Sequence, residues 1–207
     1  MYKKFIKRLL DIILSLGGIM VLALPMVLIA LAIKLDSKGP VLFKQKRIGI
    51  NKTHFNIWKF RTMRIDTPHD APTHELSDPA KWITKVGGIL RKTSLDELPQ
   101  LFNILAGQMS VIGPRPALWN QFDLIEERDK YGANDVRPGL TGWAQISGRD
   151  ELEIDVKAAY DGEYVKNISL AFDIKCFLGT IKSVLKSEGV VEGGTGELKA
   201  QEKTTNK

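Results

Sequence analysis

Two adjacent carboxylates, Asp96 and Glu97, lie in a short segment that also carries the basic pair Arg91 and Lys92. An ionised aspartate is a competent nucleophile. The positive end of a helix beginning here, together with the basic pair, would favour the ionised form of both carboxylates. The segment is therefore a candidate site for chemistry on a phosphate group.

The residues around the carboxylates predict how they are held. Pro99 is tolerated in the first turn of a helix, where its missing N–H has no intrahelical partner, so we expect a helix over residues 96–106 with Asp96 as its N-cap. A structural interpretation fits as well, because Ser94 and Glu97 have the spacing of a capping box. Taken alone, the segment favours that structural interpretation.

Basic side chains recur in three other segments. Residues 41–63 alternate well enough on both sides of a polar turn to predict a β-hairpin, with Lys59 and Arg61 on the same face. Residues 113–116 and 137–149 are turn-rich and carry arginines, whose planar fork suits phosphate oxygens. By itself, however, a Pro-Arg-Pro sequence is only a stiff turn with a solvated charge.

Two further features carry less weight. Residues 66–79 are polar with three prolines, as is typical of a loop, and they include His69 and His74 near several carboxylates. Loop histidines are common, and no cysteine or helical histidine pairing supports a metal site there. The single cysteine, Cys176, allows no internal disulfide, which suits a cytosolic domain.

The N-terminal part of the chain is apolar enough to enter a membrane. Residues 12–33 contain no charged side chain and as a helix would reach roughly 33 Å, enough for a hydrocarbon core of about 30 Å. Basic residues flank both ends, which gives both a cytoplasmic preference, and Pro25 would bend the helix. We therefore expect residues 1–36 to form a re-entrant membrane helix. An ordinary spanning helix that tolerates a proline is the alternative.

The net charge is concentrated in the same region. Residues 1–47 hold nine Lys or Arg against two Asp, a net charge of +7, so the remaining residues sum to −1 within the overall +6. Such a basic collar attracts anionic membrane lipids, whereas a nucleic-acid-binding protein would carry a broad basic face on its soluble part. We therefore expect anionic membrane lipids, and no nucleic acid, as partners.

A second amphipathic segment lies near the C-terminus, where a helix is predicted over residues 170–187 with Ser169 opening it. Its apolar face comprises Ile174, Phe177, Leu178, Ile181, Val184 and Leu185. This face fits core packing and a membrane interface equally well.

The joint pattern resembles the bacterial sugar transferases, the monotopic phosphoglycosyl transferases that load a sugar phosphate onto a polyprenyl phosphate. The resemblance covers about residues 5–186 and looks like the small form of the family, the catalytic unit alone. Besides the basic, apolar N-terminus, it rests on Lys59-Phe-Arg-Thr-Met63, Ser94-Leu-Asp-Glu-Leu-Pro-Gln100, Gly113-Pro-Arg-Pro116, and Arg137-Pro-Gly-Leu-Thr-Gly142 through Gly148-Arg149.

The resemblance implies roles for individual residues. Asp96 would be the catalytic nucleophile, and Glu97, with Asp96 beside it, would hold Mg²⁺ as the cofactor. Pro25 would hold the bend of the membrane helix. The residues implied around the phosphates are Lys59, Arg61, Arg91, Arg115, Pro116, Arg137 and Arg149.

The reaction implied by the resemblance moves a sugar 1-phosphate from a UDP-sugar to polyprenyl (undecaprenyl) phosphate through a covalent aspartyl intermediate, releasing UMP. It would be the first membrane step of glycan or exopolysaccharide assembly, at the cytoplasmic face of the bacterial inner membrane. Two alternatives stay open. One is a membrane-tethered Mg²⁺-dependent phosphohydrolase, and the other is a non-enzymatic membrane scaffold in which Asp96→Asn has no effect.

The expected fold is α+β and mainly helical, with the re-entrant helix, a small β-hairpin and amphipathic interfacial helices. After the membrane segment we expect one cytosolic catalytic domain over residues 37–187, and then a disordered tail over residues 188–207, whose apolar content is low. Helices are predicted over residues 4–34, 96–106, 116–130, 151–165 and 170–187.

Overall fold

A computed structural model of the chain describes residues 1–67, 81–148 and 152–186, with side chains described up to residue 183. His69, His74, Arg149 and the predicted tail lie outside the described residues. The fold is α+β and mainly helical, as the sequence predicts. The helices are α1 (Lys7–Asp36), α2 (Lys85–Lys92), α3 (Gln100–Leu105), α4 (Phe122–Asp129), α5 (Trp143–Ser147), α6 (Ile154–Lys166) and α7 (Leu170–Lys186), and the strands are β1 (Leu42–Ile48), β2 (His54–Phe60), β3 (Ser110–Ile112) and β4 (Gly139–Thr141).

The N-terminal helix is continuous. One π-helical turn over Tyr2–Ile6 leads into α1, which runs through Pro25 without a break in the helix. The whole stretch Tyr2–Asp36 is long and apolar enough to cross a membrane. The structure therefore confirms an apolar N-terminal helix.

One face of α1 packs against the rest of the protein along nearly its whole length. Ile19 and Leu22 contact the largest core cluster, to which β2 and α3 contribute. Further along, Ile33 packs with Phe60 and Leu90. Buried or half-buried positions recur every three or four residues before and after Pro25, at Asp11, Ser15, Gly18, Leu22, Met26, Ile29 and Ile33.

The opposite face of α1 is apolar and exposed. An uninterrupted exposed apolar surface of this length is unusual on a soluble protein and is typical of a surface that contacts a membrane or another protein. Its exposed members are Leu9, Ile13, Leu16, Met20, Val21, Leu24, Val27, Leu28, Leu31 and Leu35.

Polar contacts attach the beginning of α1 to the same core. The buried Asp11 carboxylate accepts hydrogen bonds from the Ser110 hydroxyl at 2.9 Å and from the Val111 N–H at 2.8 Å. Arg8 donates to the carbonyls of Ile104 at 2.7 Å and Leu105 at 2.9 Å, in the last turn of α3. These contacts fix α1 relative to α3 and β3.

The predicted β-hairpin is present. Strands β1 and β2 pair antiparallel around a short 3₁₀ turn, in a register that sets Phe43 opposite Lys59. Asn103 of α3 locks β2 in place, because its side-chain oxygen accepts from the Trp58 N–H at 2.9 Å and its amide nitrogen donates to the Asn56 carbonyl at 2.8 Å. The position of Lys59 is thereby tied to α3.

Two predicted helices begin at least four residues later than expected. The helix predicted over residues 96–106 begins at Gln100, because residues 95–97 form a 3₁₀ turn instead. The helix predicted over 116–130 begins at Phe122, because the preceding residues pair with the end of β1. There the Ala117 carbonyl accepts from the Ile48 N–H at 3.0 Å.

Some short elements have no counterpart in the predictions. They are α2, α5 and the parallel pair formed by β3 and β4. Strands of three residues are too short for an alternating pattern, and the two adjacent glycines in α2 lower its helix propensity.

The apolar face of α7 is exposed and does not pack in the core. Leu170, Ile174, Phe177, Leu178 and Ile181 are all exposed, while Asp173 and Cys176 on the other side of the helix are buried. Ser169 opens the helix as predicted, since its hydroxyl accepts from the Phe172 N–H at 3.3 Å. Of the two interpretations of this face, core packing is wrong for the described residues.

The two glycines of α2 provide a matched test of the packing. A Cβ at Gly87 would lie 2.0 Å from the Thr62 carbonyl oxygen, whereas a Cβ at Gly88 would meet nothing closer than 3.9 Å. We expect Gly87→Ala to destabilise the protein by roughly 1–3 kcal/mol through overpacking, and Gly88→Ala to stabilise it by up to about 1 kcal/mol through helix propensity. Thermal unfolding of both variants in detergent measures the difference, and equal shifts would contradict this packing.

Candidate active site

The two carboxylates lie on one 3₁₀ turn, Leu95–Glu97, directly after α2. Ser94 adopts a left-handed conformation with φ 57°, which reverses the chain at this point. Its side chain makes no capping hydrogen bond, so the predicted capping box is wrong. Asp96 is not a helix N-cap either, because Pro99 occupies that position of α3. A left-handed non-glycine residue costs on the order of 1 kcal/mol and is typical of functional sites.

Two cations hold Glu97. Lys59 from β2 donates to Glu97 Oε1 at 2.8 Å, and Arg115 Nη2 donates to the same oxygen at 2.7 Å. Lys59 Nζ also lies 3.6 Å from Asp96 Oδ2, which is an ion-pair distance but too long for a hydrogen bond. Residues predicted from three separate segments of the sequence therefore meet at one site.

Asp96 is buried and has little contact with solvent. Its exposed fraction is only 8%, and within the part of the chain that the structure describes its carboxylate accepts no hydrogen bond. Burial raises the pKa of Asp96, and the Glu97 charge adds to this effect, while Lys59, Arg91 and Arg115 oppose it. For Asp96, the expectation that the surroundings favour the ionised form is therefore not met, because desolvation outweighs the nearby cations.

The pKa of Glu97 is shifted in the opposite direction. Burial alone would raise the pKa of Glu97, but the ion pairs with Arg115 and Lys59 outweigh it and hold the pKa well below its usual range. A pair of carboxylates whose pKa values are pushed apart in this way is suited to two different roles. The ion pairs favour the anionic form of Glu97, whereas burial disfavours the anionic form of Asp96.

Comparison with known proteins decides the family. Residues 2–187 match the family model described as bacterial sugar transferase. The chain belongs to the bacterial sugar transferase family.

Three relatives show the range of this sugar transferase family. The undecaprenyl-phosphate glucose phosphotransferase of Komagataeibacter xylinus is 43% identical over 187 residues, 85% of this chain and 35% of that protein. The exopolysaccharide production protein PSS of Rhizobium leguminosarum bv. phaseoli is 42% identical over 194 residues, 87% and 95% of the two chains. The UDP-N-acetylgalactosamine-undecaprenyl-phosphate N-acetylgalactosaminephosphotransferase of Aeromonas hydrophila is 39% identical over 192 residues, 89% and 45%. The chain therefore spans less than half of two relatives and nearly all of the third.

Not all of the other residues predicted to bind phosphate in this sugar transferase lie beside the two carboxylates. Arg91, in the last turn of α2, donates to the Thr62 hydroxyl at 2.8 Å and contributes to the electrostatic field at Asp96. The guanidinium of Arg61 is buried and donates to three backbone carbonyls just after α1. Arg137 donates to the Gly107 carbonyl at 2.9 Å. The structure places Lys59, Arg91 and Arg115 near the carboxylates. Arg61 and Arg137 instead donate to backbone carbonyls elsewhere in the fold.

The residues that hold the Arg115 turn in place were not predicted from the sequence. Arg128 of α4 forms a buried ion pair with Asp161 of α6 at 2.5 Å, and its Nη1 donates to the Arg115 carbonyl at 2.9 Å. Arg47 of β1 donates to the Pro116 carbonyl at 2.9 Å. These contacts join residues far apart in sequence, so no local spacing could have indicated them.

The carboxylate pair fits a magnesium ion in its donor chemistry. Mg²⁺ prefers oxygen donors and is commonly held by one or two carboxylates together with substrate phosphates. Among the described residues, no group of three or more His, Cys, Asp or Glu side chains is arranged to hold a metal alone. Asp96 and Glu97 supply two such oxygen donors, which suits an ion that shares its ligands with a phosphate.

The low pKa of Glu97 predicts a pH-dependent contribution to stability. A carboxylate whose pKa is lower in the folded than in the unfolded protein stabilises the fold above the unfolded pKa, and this contribution is lost as the pH falls. We expect the stability difference between wild type and Glu97→Gln, measured in chelator by urea unfolding, to be constant above about pH 6 and to shrink below about pH 4. Glu126→Gln, at an exposed position of α4, is the control. A difference that grows toward acid pH would contradict the ion-pair geometry.

Proposed function

We propose that this sugar transferase moves a sugar 1-phosphate from a UDP-sugar to polyprenyl phosphate through a covalent intermediate on Asp96. The observation that carries the proposal is the contrast between the two carboxylates. Asp96 is buried and accepts no hydrogen bond from the described residues, whereas Glu97 is neutralised by Lys59 and Arg115. The names of the relatives from K. xylinus and A. hydrophila support an undecaprenyl phosphate acceptor.

In the first step, an Asp96 carboxylate oxygen attacks the β-phosphorus of the UDP-sugar. The new bond joins that oxygen to phosphorus, and the bond from phosphorus to the oxygen bridging the two phosphates breaks. UMP leaves with that oxygen and the bonding electrons. Because Asp96 accepts no hydrogen bond from the described residues, little solvation has to be removed before it attacks. Lys59 and Arg115 stabilise the negative charge that gathers on the phosphoryl oxygens.

In the second step, a phosphate oxygen of polyprenyl phosphate attacks the same phosphorus. The bond between phosphorus and the Asp96 oxygen breaks, which regenerates the carboxylate and gives the polyprenyl diphosphate sugar. Covalent capture separates a water-soluble donor from a lipid acceptor, so one site can serve both in turn. Ping-pong kinetics follow from this order.

A magnesium ion is part of the proposal. Glu97, with Asp96 beside it, would hold the ion, which when bound neutralises phosphate oxygens as a Lewis acid. Glu97 suits this role because its low pKa keeps it anionic over the physiological range. Arg91 and Arg115, whose charges both act on Asp96, would orient the diphosphate.

The proposed membrane arrangement follows from the contacts of α1. At one end of the helix Lys7 forms an ion pair with Asp173 at 2.7 Å. At the other end Arg61 donates to the carbonyls of Ser37, Lys38 and Pro40. Both ends are thus attached to one folded body with a charged surface. A helix spanning the bilayer would carry part of that body into hydrocarbon, so a re-entrant helix on the cytoplasmic face fits better.

The exposed apolar face of α7 adds to the apolar surface that α1 exposes. Asp173 on its opposite face joins α7 to the start of α1 through Tyr2 and Lys7. The apolar faces of α1 and α7 therefore belong to neighbouring elements. We assign α7 to the membrane interface, where it would keep the active site close to the lipid phosphate.

Cysteine labelling tests the membrane arrangement. Lys4→Cys and Lys38→Cys place thiols at exposed positions on the two ends of the N-terminal helix. We expect a membrane-impermeant maleimide to label both from the cytoplasmic side only, because the re-entrant helix returns to that side. The native thiol gives little background, since burial and the nearby Asp173 charge raise the pKa of Cys176 to about 11.

The labelling needs an internal control and has a clear contrary result. Val21→Cys lies on the exposed apolar face of α1 and is expected to be protected within the bilayer from either side. Labelling of positions 4 and 38 from opposite sides would establish a spanning helix.

UMP release tests the reaction. We expect wild-type protein with Mg²⁺ to release UMP from at least one UDP-sugar when undecaprenyl phosphate is present. A donor panel is needed because the named relatives differ, one specifying glucose and another N-acetylgalactosamine. Asp96→Asn should lower the rate by about three orders of magnitude or more, because the nucleophile is lost. Asp155→Asn, an exposed aspartate of α6, should leave it unchanged.

The other outcomes separate the alternatives. UMP release without lipid, together with free sugar phosphate, would favour a phosphohydrolase. Full function in Asp96→Asn would favour a non-enzymatic scaffold. A donor-derived sugar phosphate trapped on wild-type protein in the absence of lipid, and absent from Asp96→Asn, identifies the covalent intermediate by mass spectrometry.

A further inference from the structure

We propose that Arg128, held by Asp161, is a positioning residue that fixes the backbone of Arg115 so that the Arg115 side chain meets Glu97. This inference rests on the function proposed above. It assigns a role to the buried ion pair between Arg128 and Asp161, which takes no direct part in the proposed reaction.

The turn that carries Arg115 is held through four consecutive carbonyl groups. The Pro114 carbonyl accepts from the Gly139 N–H at 2.8 Å, and the Ala117 carbonyl from the Ile48 N–H at 3.0 Å. The two carbonyls between them accept from side chains, Arg128 at 2.9 Å and Arg47 at 2.9 Å. Every carbonyl from residue 114 to residue 117 therefore accepts a hydrogen bond, from donors on β4, α4 and β1.

Carbonyls matter more than usual in this turn because two of its residues are prolines. Pro114 and Pro116 have no N–H, so hydrogen bonds from the carbonyl side are the main means of holding the backbone on either side of Arg115. The Arg115 side chain itself is 41% exposed, and ordering a long arginine side chain costs up to about 2 kcal/mol. A rigid backbone confines that side chain before any substrate arrives.

The ion pair with Asp161 aims the Arg128 guanidinium. Nε and Nη2 both donate to Asp161 Oδ2, at 2.8 and 2.5 Å, which leaves Nη1 directed at the Arg115 carbonyl. Both side chains are almost fully buried, with exposed fractions of 4% and 1%. The planar fork makes all three bonds in one orientation, whereas a lysine ammonium is a compact point charge without that fixed fork.

The test is a double-mutant cycle on kcat/KM for the best UDP-sugar. We expect Arg128→Lys to lower kcat/KM by about 10- to 100-fold, because a small displacement of Arg115 weakens its contact with the transferring phosphate. In an Arg115→Ala background the same change should cost less than about threefold, since the group it positions is gone. Equal losses in both backgrounds would overturn the inference, as would wild-type activity in Arg128→Lys.

A destabilised control separates positioning from general loss of stability. Tyr164 is fully buried and donates to Asp173 at 2.7 Å and to the Ile112 carbonyl at 3.1 Å, and neither bond holds a carbonyl of residues 114–117. Tyr164→Phe is expected to lower the melting temperature while leaving kcat/KM unchanged. If Tyr164→Phe lowers kcat/KM as much as Arg128→Lys does, the effect is one of stability and the inference is wrong.

A second variant covers the case in which Arg128→Lys does not fold. Arg47→Met removes the donor to the neighbouring Pro116 carbonyl without leaving a buried charge behind. We expect a smaller loss of kcat/KM in the same direction, again suppressed in the Arg115→Ala background. Additive losses there would count against the positioning role.

Amide hydrogen exchange tests the inference independently of the reaction. Arg128→Lys should speed exchange at the amides of residues 115, 117 and 118, whereas Tyr164→Phe, whose lost hydrogen bonds are to Ile112 and Asp173, should not. Unchanged exchange in Arg128→Lys overturns the inference even if the sugar transfer is confirmed. Faster exchange in a protein that turns over no UDP-sugar would instead contradict the proposed function and leave the held turn established.

Discussion

The site depends on the neutralisation of two neighbouring buried carboxylates. Ionised groups on consecutive residues repel each other and lose hydration, so the fold must bring cations to them. Lys59 comes from the β-hairpin and Arg115 from the turn before α4, and both donate to Glu97. Neither cation is near the carboxylates in sequence. The hairpin, the 3₁₀ turn and the Arg115 turn must all be in place before the charges balance.

The same requirement explains the supporting contacts. Asn103 hydrogen-bonds β2 to α3 and so fixes the position of Lys59 relative to the 3₁₀ turn. Arg128 and Arg47 hold the Arg115 turn from the other side. Each support is a buried or half-buried polar side chain that donates to a backbone carbonyl.

The N-terminal helix serves as membrane element and core element together. Its inner face closes the clusters around Leu101 and Phe60, and its outer face is apolar and exposed. Removing the helix would therefore expose the interior of the protein as well as remove the apolar outer face. Because α3 lies against this helix and directly follows the carboxylate turn, the active site is held at a fixed depth relative to the apolar surface.

Local pattern in the sequence predicted the longer elements and the candidate site residues. The apolar run gave α1, alternation gave the hairpin, and the adjacent carboxylates with their basic neighbours pointed to Asp96, Glu97 and Lys59. These signals depend on neighbours a few residues apart. The false capping box was decided by tertiary contacts, because Glu97 bonds to distant cations instead of to its own turn. The short β3–β4 pair joins segments about 30 residues apart, which no local pattern could indicate. Which arginines reach the carboxylates, and which hold backbone, was likewise fixed only by packing between segments remote in sequence.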